Sequence, residues 1–245
     1  MANVLTAKDL LDLWERGLTS LPLKRTLELL AIAYPEMSPG QIREMPIGRR
    51  DARLLVLREA LFGPRLPCLT GCPKCSEHLE IVFDTTQLRA ESNNISQLGN
   101  DSVAVGDYEV HFRLPSSEDM FHIAGLPDPT QGRRVLFERC VEHAARGGVP
   151  VPAADIPEEV IQGVAARMSE LDPQADVQIS LTCPACSHQW SAAFDIASYL
   201  WTEVNAWAVR TLGEIHRLAS AYGWRESEIL ALSPVRRQLY LELIG

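Results

Sequence analysis

Two short cysteine motifs, Cys72-Pro-Lys-Cys75 and Cys183-Pro-Ala-Cys186, constrain this chain more than any other feature of it. A two-residue gap across a tight turn lets both thiolates face one tetrahedral metal, so each motif has the form of half a structural zinc site. The flanks repeat too. SEHLEIVFD follows the first motif and SHQWSAAFD the second, with Ser directly after the second cysteine and Phe-Asp closing each segment. The repeated unit reads as a knuckle, a strand, and an aspartate where a helix can begin.

Counting ligands decides between one metal and two. Beside the second knuckle only His188 is available as an extra ligand, and beside the first only Cys68 and His78. Two complete local sites cannot be built from these, whereas one site shared by Cys72, Cys75, Cys183 and Cys186 can. Roughly a hundred residues separate the knuckles, far more than the 15–20 or so of a simple ribbon. A shared Zn2+ therefore acts as a clasp between distant parts of the chain. Four thiolates leave no open position for water or substrate, so such a zinc is structural and not catalytic.

Two other uses of the cysteines fit less well. Disulfides suit an oxidising compartment, but the opening MANVLTAKDLLDLWERG carries acids at Asp9, Asp12 and Glu15 and has no cleavable apolar block. It reads as an amphipathic helix and not as a signal peptide. A thioredoxin-like redox pair sits at a helix N-terminus, whereas each knuckle here runs into an alternating, strand-like segment. Cys140 falls in an apolar stripe with Leu136 and is expected to be a buried core thiol.

Composition narrows the class. The chain has 245 residues, 46% hydrophobic and 22% charged, with a net charge of −9. This is ordinary for a globular protein and excludes wholesale disorder. No apolar run approaches the roughly 20 residues that span a bilayer. A cytoplasmic location, with no membrane partner, is expected. The acidic balance weighs against a general nucleic-acid binder, which needs Lys and Arg to displace counterions from phosphate. Residues 1–66 are mildly basic, with Arg49, Arg50, Arg53 and Arg58 grouped in a pattern expected of a solvated helix face.

Helical signals dominate elsewhere. Ser38-Pro39 is a cap followed by proline at the first helical position, and Gly48 opens RRDARLLVLREALFG, which stops at Gly63. VAVGDYEVHFRLP predicts a hairpin turning at Gly106-Asp107, with Val110, Phe112 and Leu114 on one face. Asp128-Pro129 then predicts a helix running to the Gly147-Gly148 break, and a second helix follows the proline-rich VPVPAADIP, ending near Leu171. From Asp195 to Tyr222, Ile196, Leu200, Val204, Trp207, Leu212, Ile215, Leu218 and Tyr222 recur at helical spacing. Gly223 ends that helix, a short one follows around Glu226–Ala231, and Ser233-Pro234 caps the last. Four of the five tryptophans, Trp190, Trp201, Trp207 and Trp224, crowd into this final third. They serve either as core or as a docking surface.

No catalytic constellation is present. HExxH, GxSxG, phosphate-loop and dinucleotide fingerprints are absent, His111, His122, His143 and His216 are scattered, and Glu158-Glu159 suit the first turn of a helix. The expectation is a protein that is not an enzyme.

CPACSHQWSAAFDIASYLW, then EIHRLASAYGW, then EILALSPVRRQLYLELI resembles a family of baseplate proteins from contractile phage tails and related injection systems. It is similar to the T-even phage baseplate hub and hub-assembly proteins. RRDARLLVLREALFG followed by a CPxC knuckle fits the same pattern. The resemblance carries over Cys72, Cys75, Cys183 and Cys186 as metal-binding knuckles, together with the Tyr222-Gly223-Trp224 corner. It implies a non-enzymatic structural or assembly component of a contractile phage-tail-like baseplate, incorporated into the particle or helping to build it. Its partners would be other baseplate or tail subunits, met through the 195–245 helical region.

The expected fold is mainly α with a small β portion: a helical N-terminal region (1–64), two zinc-ribbon halves (65–89 and 177–195), an inserted hairpin and helices (90–176), and a C-terminal helical region (195–245), integrated into one domain. Its long amphipathic helix is followed by two short ones. The alternative function is a zinc-ribbon nucleic-acid-binding or regulatory protein, with the arginines at 49–58 or Arg236-Arg237 on phosphate.

Overall fold

The computed structural model describes residues 5–89 and 101–245. Residues 1–4, which open the expected first helix, and 90–100, which open the expected insertion, lie outside the described residues. The chain divides into two compact units, Met1–Pro35 with Ile196–Gly245 and Glu36–Asp195. Helices predominate, with strands confined to hairpins and one small sheet.

The first unit begins with α1 (Ala7–Gly17) and α2 (Pro22–Ala33). Thr6 caps α1 in a reciprocal box with Asp9, satisfying amide groups that the first turn leaves unpaired.

The second unit starts with α3 (Pro39–Glu44), capped by Ser38 and Gln41, and α4 (Ile47–Phe62), which stops at Gly63 with φ 85°. Helix α4 is not the solvated face that its charges suggest. Arg50 and Arg58 are buried, Arg50 bonded to Asp51 at 2.7 Å and Arg58 to the Gly63 carbonyl at 2.6 Å. Periodicity registers where charges fall along a helix, but not whether the rest of the fold buries them.

At the start of α4 the Gly48 amide donates to buried Asp172 Oδ2 at 2.8 Å. A Cβ on Gly48 would stand 1.8 Å from Asp172 Oδ1, so no side chain fits while that bond is kept. Gly48→Ala is expected to lower stability by about 2–4 kcal/mol, through overpacking and loss of a charge-assisted hydrogen bond. Denaturant unfolding checks this, and a loss under about 0.5 kcal/mol would show that the contact yields freely.

The first ribbon pairs β1 (Arg65–Gly71) with β2 (His78–Asp84) antiparallel, and Asp84 then caps the short α5 (Thr85–Leu88). Beyond it β3 (Asp101–Val105) and β4 (Tyr108–Phe112) form the expected hairpin, with Val105 opposite Tyr108 across Gly106-Asp107. Val110 and Phe112 are fully buried. Next come α6 (Ser117–Ile123) and α7 (Pro129–Cys140).

Here the expected long helix fails. The chain leaves α7 at Cys140 and enters strand β5 (Val141–Arg146), which pairs with β4 and turns through Gly147-Gly148 into β6 (Val149–Pro150). The segment VEHAAR has no strong strand periodicity. Pairing with β4 overrides its helical bias, a tertiary effect that local pattern does not carry. Cys140 is fully buried, as expected. Helix α8 (Glu158–Leu171) covers the sheet, ordered β3-β4-β5-β6. Val110, Phe112, Phe137, Ile156, Val160 and Val164 form their common core.

The second ribbon, β7 (Val177–Thr182) with β8 (Gln189–Phe194), closes this unit. The first unit then resumes with α9 (Ile196–Tyr222), α10 (Glu226–Leu230) and α11 (Pro234–Leu243). Gly223, at φ 66°, terminates α9 as the sequence predicts. The buried face of α9 includes Ala208 and Thr211, while Leu212 and Tyr222 from the expected stripe remain partly exposed. Leu11, Ala208, Ile215, Leu218, Ile229 and Leu241 make the core of this unit, and Trp14, Trp207 and Trp224 pack against it. Among the described residues, no helix is long and apolar enough to cross a membrane.

Candidate metal centre

Each ribbon presents its knuckle at the turn between its two strands: Gly71 faces His78 at the end of the first ladder, and Thr182 faces Gln189 at the end of the second. The two turns are built alike, bond for bond. Cys72 N donates to Glu77 O at 2.8 Å and Ser76 N to Cys72 O at 2.9 Å. In the second turn Cys183 N donates to His188 O and Ser187 N to Cys183 O, both at 2.9 Å. Ser76 (φ 62°) and Ser187 (φ 58°) are the positive-φ residues other than glycine among those described. The shared Ser after each knuckle thus marks a left-handed corner through which the chain leaves the knuckle for its second strand. The sequence repeat is a structural repeat.

The knuckles meet. The four sulfurs of Cys72, Cys75, Cys183 and Cys186 all lie within 4.8 Å of one another. Two contacts run between the ribbons, Cys72 to Cys186 at 3.7 Å and Cys75 to Cys183 at 3.5 Å. A tetrahedron with metal–sulfur bonds of about 2.3 Å has edges of about 3.8 Å, so the sulfurs already stand near the separation that zinc requires. Cys72 and Cys183 are 2% and 1% exposed, Cys186 is half-buried, and Cys75 is open to solvent. Leu79 completes a small core with the two buried cysteines, and Ile81 and Trp190 pack on it.

The two cysteines of the first knuckle differ in their electrostatics. Burial works against ionising Cys72, but the backbone N–H groups of Cys75 and Lys74 and the adjacent sulfurs outweigh it and hold its thiol down at about 7. At Cys75 the Glu77 amide favours the thiolate, yet the sulfurs of Cys186, Cys183 and Cys72, with burial, push it up to about 12. A metal takes its cysteines as thiolates, so binding at such a centre is coupled to proton release.

Among the described residues, the metal-capable group contains these four cysteines alone; Cys68, His78 and His188 are not part of it. His188 contributes its carbonyl to the knuckle turn and stacks its ring on Trp190 at 6.0 Å. Cys68 sits within β1 opposite Ile81.

Sequence reasoning missed the support around the ribbons. The Gln174 side chain donates to the Leu88 carbonyl at 3.1 Å, tying the exit of the first ribbon to the approach of the second. Thr85 Oγ1 donates to Glu59 on α4 at 2.9 Å, and Arg89 pairs with the same carboxylate. A stronger knot lies at α6, where buried Asp119 accepts from Arg113 at 2.6 and 2.8 Å, Arg139 at 2.9 Å and Ser116 at 2.8 and 3.0 Å. The Ser116–Asp119 spacing of a capping box was its one visible signal. Of the arginines that the nucleic-acid alternative places on phosphate, Arg50 and Arg58 are buried, and buried Arg237 pairs with Glu214 at 3.2 Å.

No curated protein and no solved structure matches the chain. A family described as T4 bacteriophage base plate protein matches residues 27–201, more than half of the chain and a span that contains both knuckles. With the two knuckles converging inside the matched region, the chain belongs to the T4 bacteriophage base plate protein family.

Proposed function

We propose that this protein is a non-enzymatic structural or assembly component of a contractile phage-tail-like baseplate. One structural zinc on Cys72, Cys75, Cys183 and Cys186 would hold its distant segments together. The convergence of all four sulfurs within 4.8 Å carries the metal half of this proposal, and family membership carries the baseplate half. Soft thiolates in a tetrahedral set favour zinc over hard cations. A full set of four sulfurs leaves no site for substrate, so the metal supplies a fixed joint and no reaction.

In this account segments 65–89 and 177–195 are the two halves of one zinc ribbon, and 90–176 is an insertion between them. The partners are other baseplate or tail subunits. The region from 195 onward is the surface that meets them, and it carries exposed apolar residues: Val209 and Leu212 on α9, and Val235, Leu239 and Leu243 on α11. Large apolar side chains left at a surface are characteristic of interaction sites when they cluster.

Co-expression with the remaining baseplate subunits of the same particle tests the proposal. The protein is expected to co-purify with at least one of them, and Leu239→Asp is expected to weaken that association about tenfold or more without lowering the melting temperature. A protein that stays alone through co-expression would overturn the baseplate role. Salt-dependent binding to DNA or RNA would replace it with the nucleic-acid alternative.

A further inference from the structure

We propose that the four-cysteine centre is also an oxidative cross-linking site, at which a peroxide converts the metal joint into two disulfides between the ribbons, Cys75–Cys183 and Cys72–Cys186. The inference rests on the metal reading above for its starting state, and on sulfur positions for its outcome.

Access and pairing point the same way. Each short contact between the ribbons joins a more accessible sulfur to a buried one: exposed Cys75 lies 3.5 Å from buried Cys183, and half-buried Cys186 lies 3.7 Å from buried Cys72. An oxidant from solvent reaches the outer sulfur first, and the inner one stands ready to resolve the product. Pairing within a knuckle would pull Cys72 toward Cys75 across a turn held by Cys72 N to Glu77 O and Ser76 N to Cys72 O. The equivalent bonds, Cys183 N to His188 O and Ser187 N to Cys183 O, hold the second knuckle.

The chemistry balances. The Cys75 thiolate attacks hydrogen peroxide, the O–O bond breaks, and sulfenic acid and hydroxide form. The Cys183 thiolate then attacks the sulfenyl sulfur, forming the S–S bond and expelling a second hydroxide. One peroxide is reduced for each pair of thiolates oxidised. A second peroxide does the same at Cys186 and Cys72, and a metal that has lost its thiolates departs as the free dication. A baseplate leaves a reducing cytoplasm for surroundings where disulfides persist. A centre that exchanges one clasp for the other keeps residues 65–84 and 177–194 joined in both.

The test treats the purified full chain with hydrogen peroxide after its zinc content has been measured. Zinc release is followed with a colorimetric chelator, and disulfides are mapped by mass spectrometry of non-reduced peptides. Lys74 lies between Cys72 and Cys75, so tryptic cleavage after it places these two on separate peptides, while Cys183 and Cys186 share one peptide and are told apart by fragmentation between them. The expected result is about one zinc released per two peroxides consumed, with Cys75 linked to Cys183 and Cys72 to Cys186. Cys72→Ser/Cys186→Ser, which keeps the pair 3.5 Å apart, is expected to cross-link faster than Cys72→Ser/Cys183→Ser. Disulfides within the knuckles, the crossed pairs Cys75–Cys186 and Cys72–Cys183, or sulfinic acids in place of disulfides would overturn the inference. A chain that takes up no zinc counts against the metal reading, whereas a zinc-loaded chain that yields no disulfide between the ribbons counts against this inference.

Discussion

Cys183→Ser is expected to release the metal and melt the paired ribbons. Apparent zinc-binding free energies of structural sites run to about 10–16 kcal/mol, comparable to or larger than the roughly 5–15 kcal/mol that keeps a whole domain folded. The small core of Cys72, Leu79 and Cys183 with Ile81 and Trp190 is too slight to hold two hairpins together without that contribution. Position sets the ranking among the cysteines. Cys183 and Cys72 are buried, so a serine hydroxyl there loses a ligand bond and also buries a polar group. Cys75 is exposed, so Cys75→Ser keeps three ligands and replaces the fourth with water or the new hydroxyl. Elemental analysis should find zinc absent from Cys183→Ser and retained more weakly by Cys75→Ser. Limited proteolysis should cut the former within 65–84 and 177–194. Melting like that of the native chain in both variants would mean that the centre holds nothing together.

Asp119→Ala is the second large effect. This carboxylate has no solvent exposure and accepts from two guanidinium groups and from both the amide and the hydroxyl of Ser116. Burial alone would raise its pKa. The hydrogen bonds from Arg113 and Ser116 and the Arg113 charge outweigh that and hold the carboxyl well below the usual range. Removing one member of a buried ion-pair network costs about 3–5 kcal/mol, which for a chain of this size lowers the melting temperature by about 10 °C. A pH dependence follows from the same shift. A carboxyl whose folded pKa is depressed contributes stability that is complete above its unfolded value of about 3.9 and is lost as pH falls toward the folded value. The native chain should therefore lose stability as acid is added below about pH 4, and Asp119→Ala should lose less over the same interval. Equal acid sensitivity in the two would remove Asp119 as a source of the effect.

Local chemistry made much of the fold legible. The caps Ser38-Pro39 and Ser233-Pro234, the stop glycines Gly63 and Gly223, and the Gly106-Asp107 turn all act within a few residues, and each stands where the sequence places it. The knuckles were legible because they recur: two half-sites with matching flanks imply a shared whole, and the four sulfurs do converge. What escaped depends on distant parts of the chain. Strand β5 forms because β4 lies beside VEHAAR, and nothing within those six residues announces it. Arg50 looks solvated in sequence, yet it is buried and donates to Ser117 Oγ, 67 positions away, at 3.3 Å. The close approach of Gly48 to Asp172 spans 124 positions and was equally hidden. The family match also ends at residue 201, so α10, α11 and most of α9 lie beyond it, although the sequence resemblance is densest there.

The shared joint is the central claim, and X-ray absorption at the zinc edge, paired with native mass spectrometry of protein purified without added metal, tests it most directly. The account predicts about one zinc per chain with a shell of four sulfurs at about 2.3 Å and no nitrogen or oxygen neighbour. That shell should lose a sulfur in Cys75→Ser and equally in Cys186→Ser, because one ion draws on both knuckles. Two zincs per chain, or a shell containing histidine nitrogen, would contradict it.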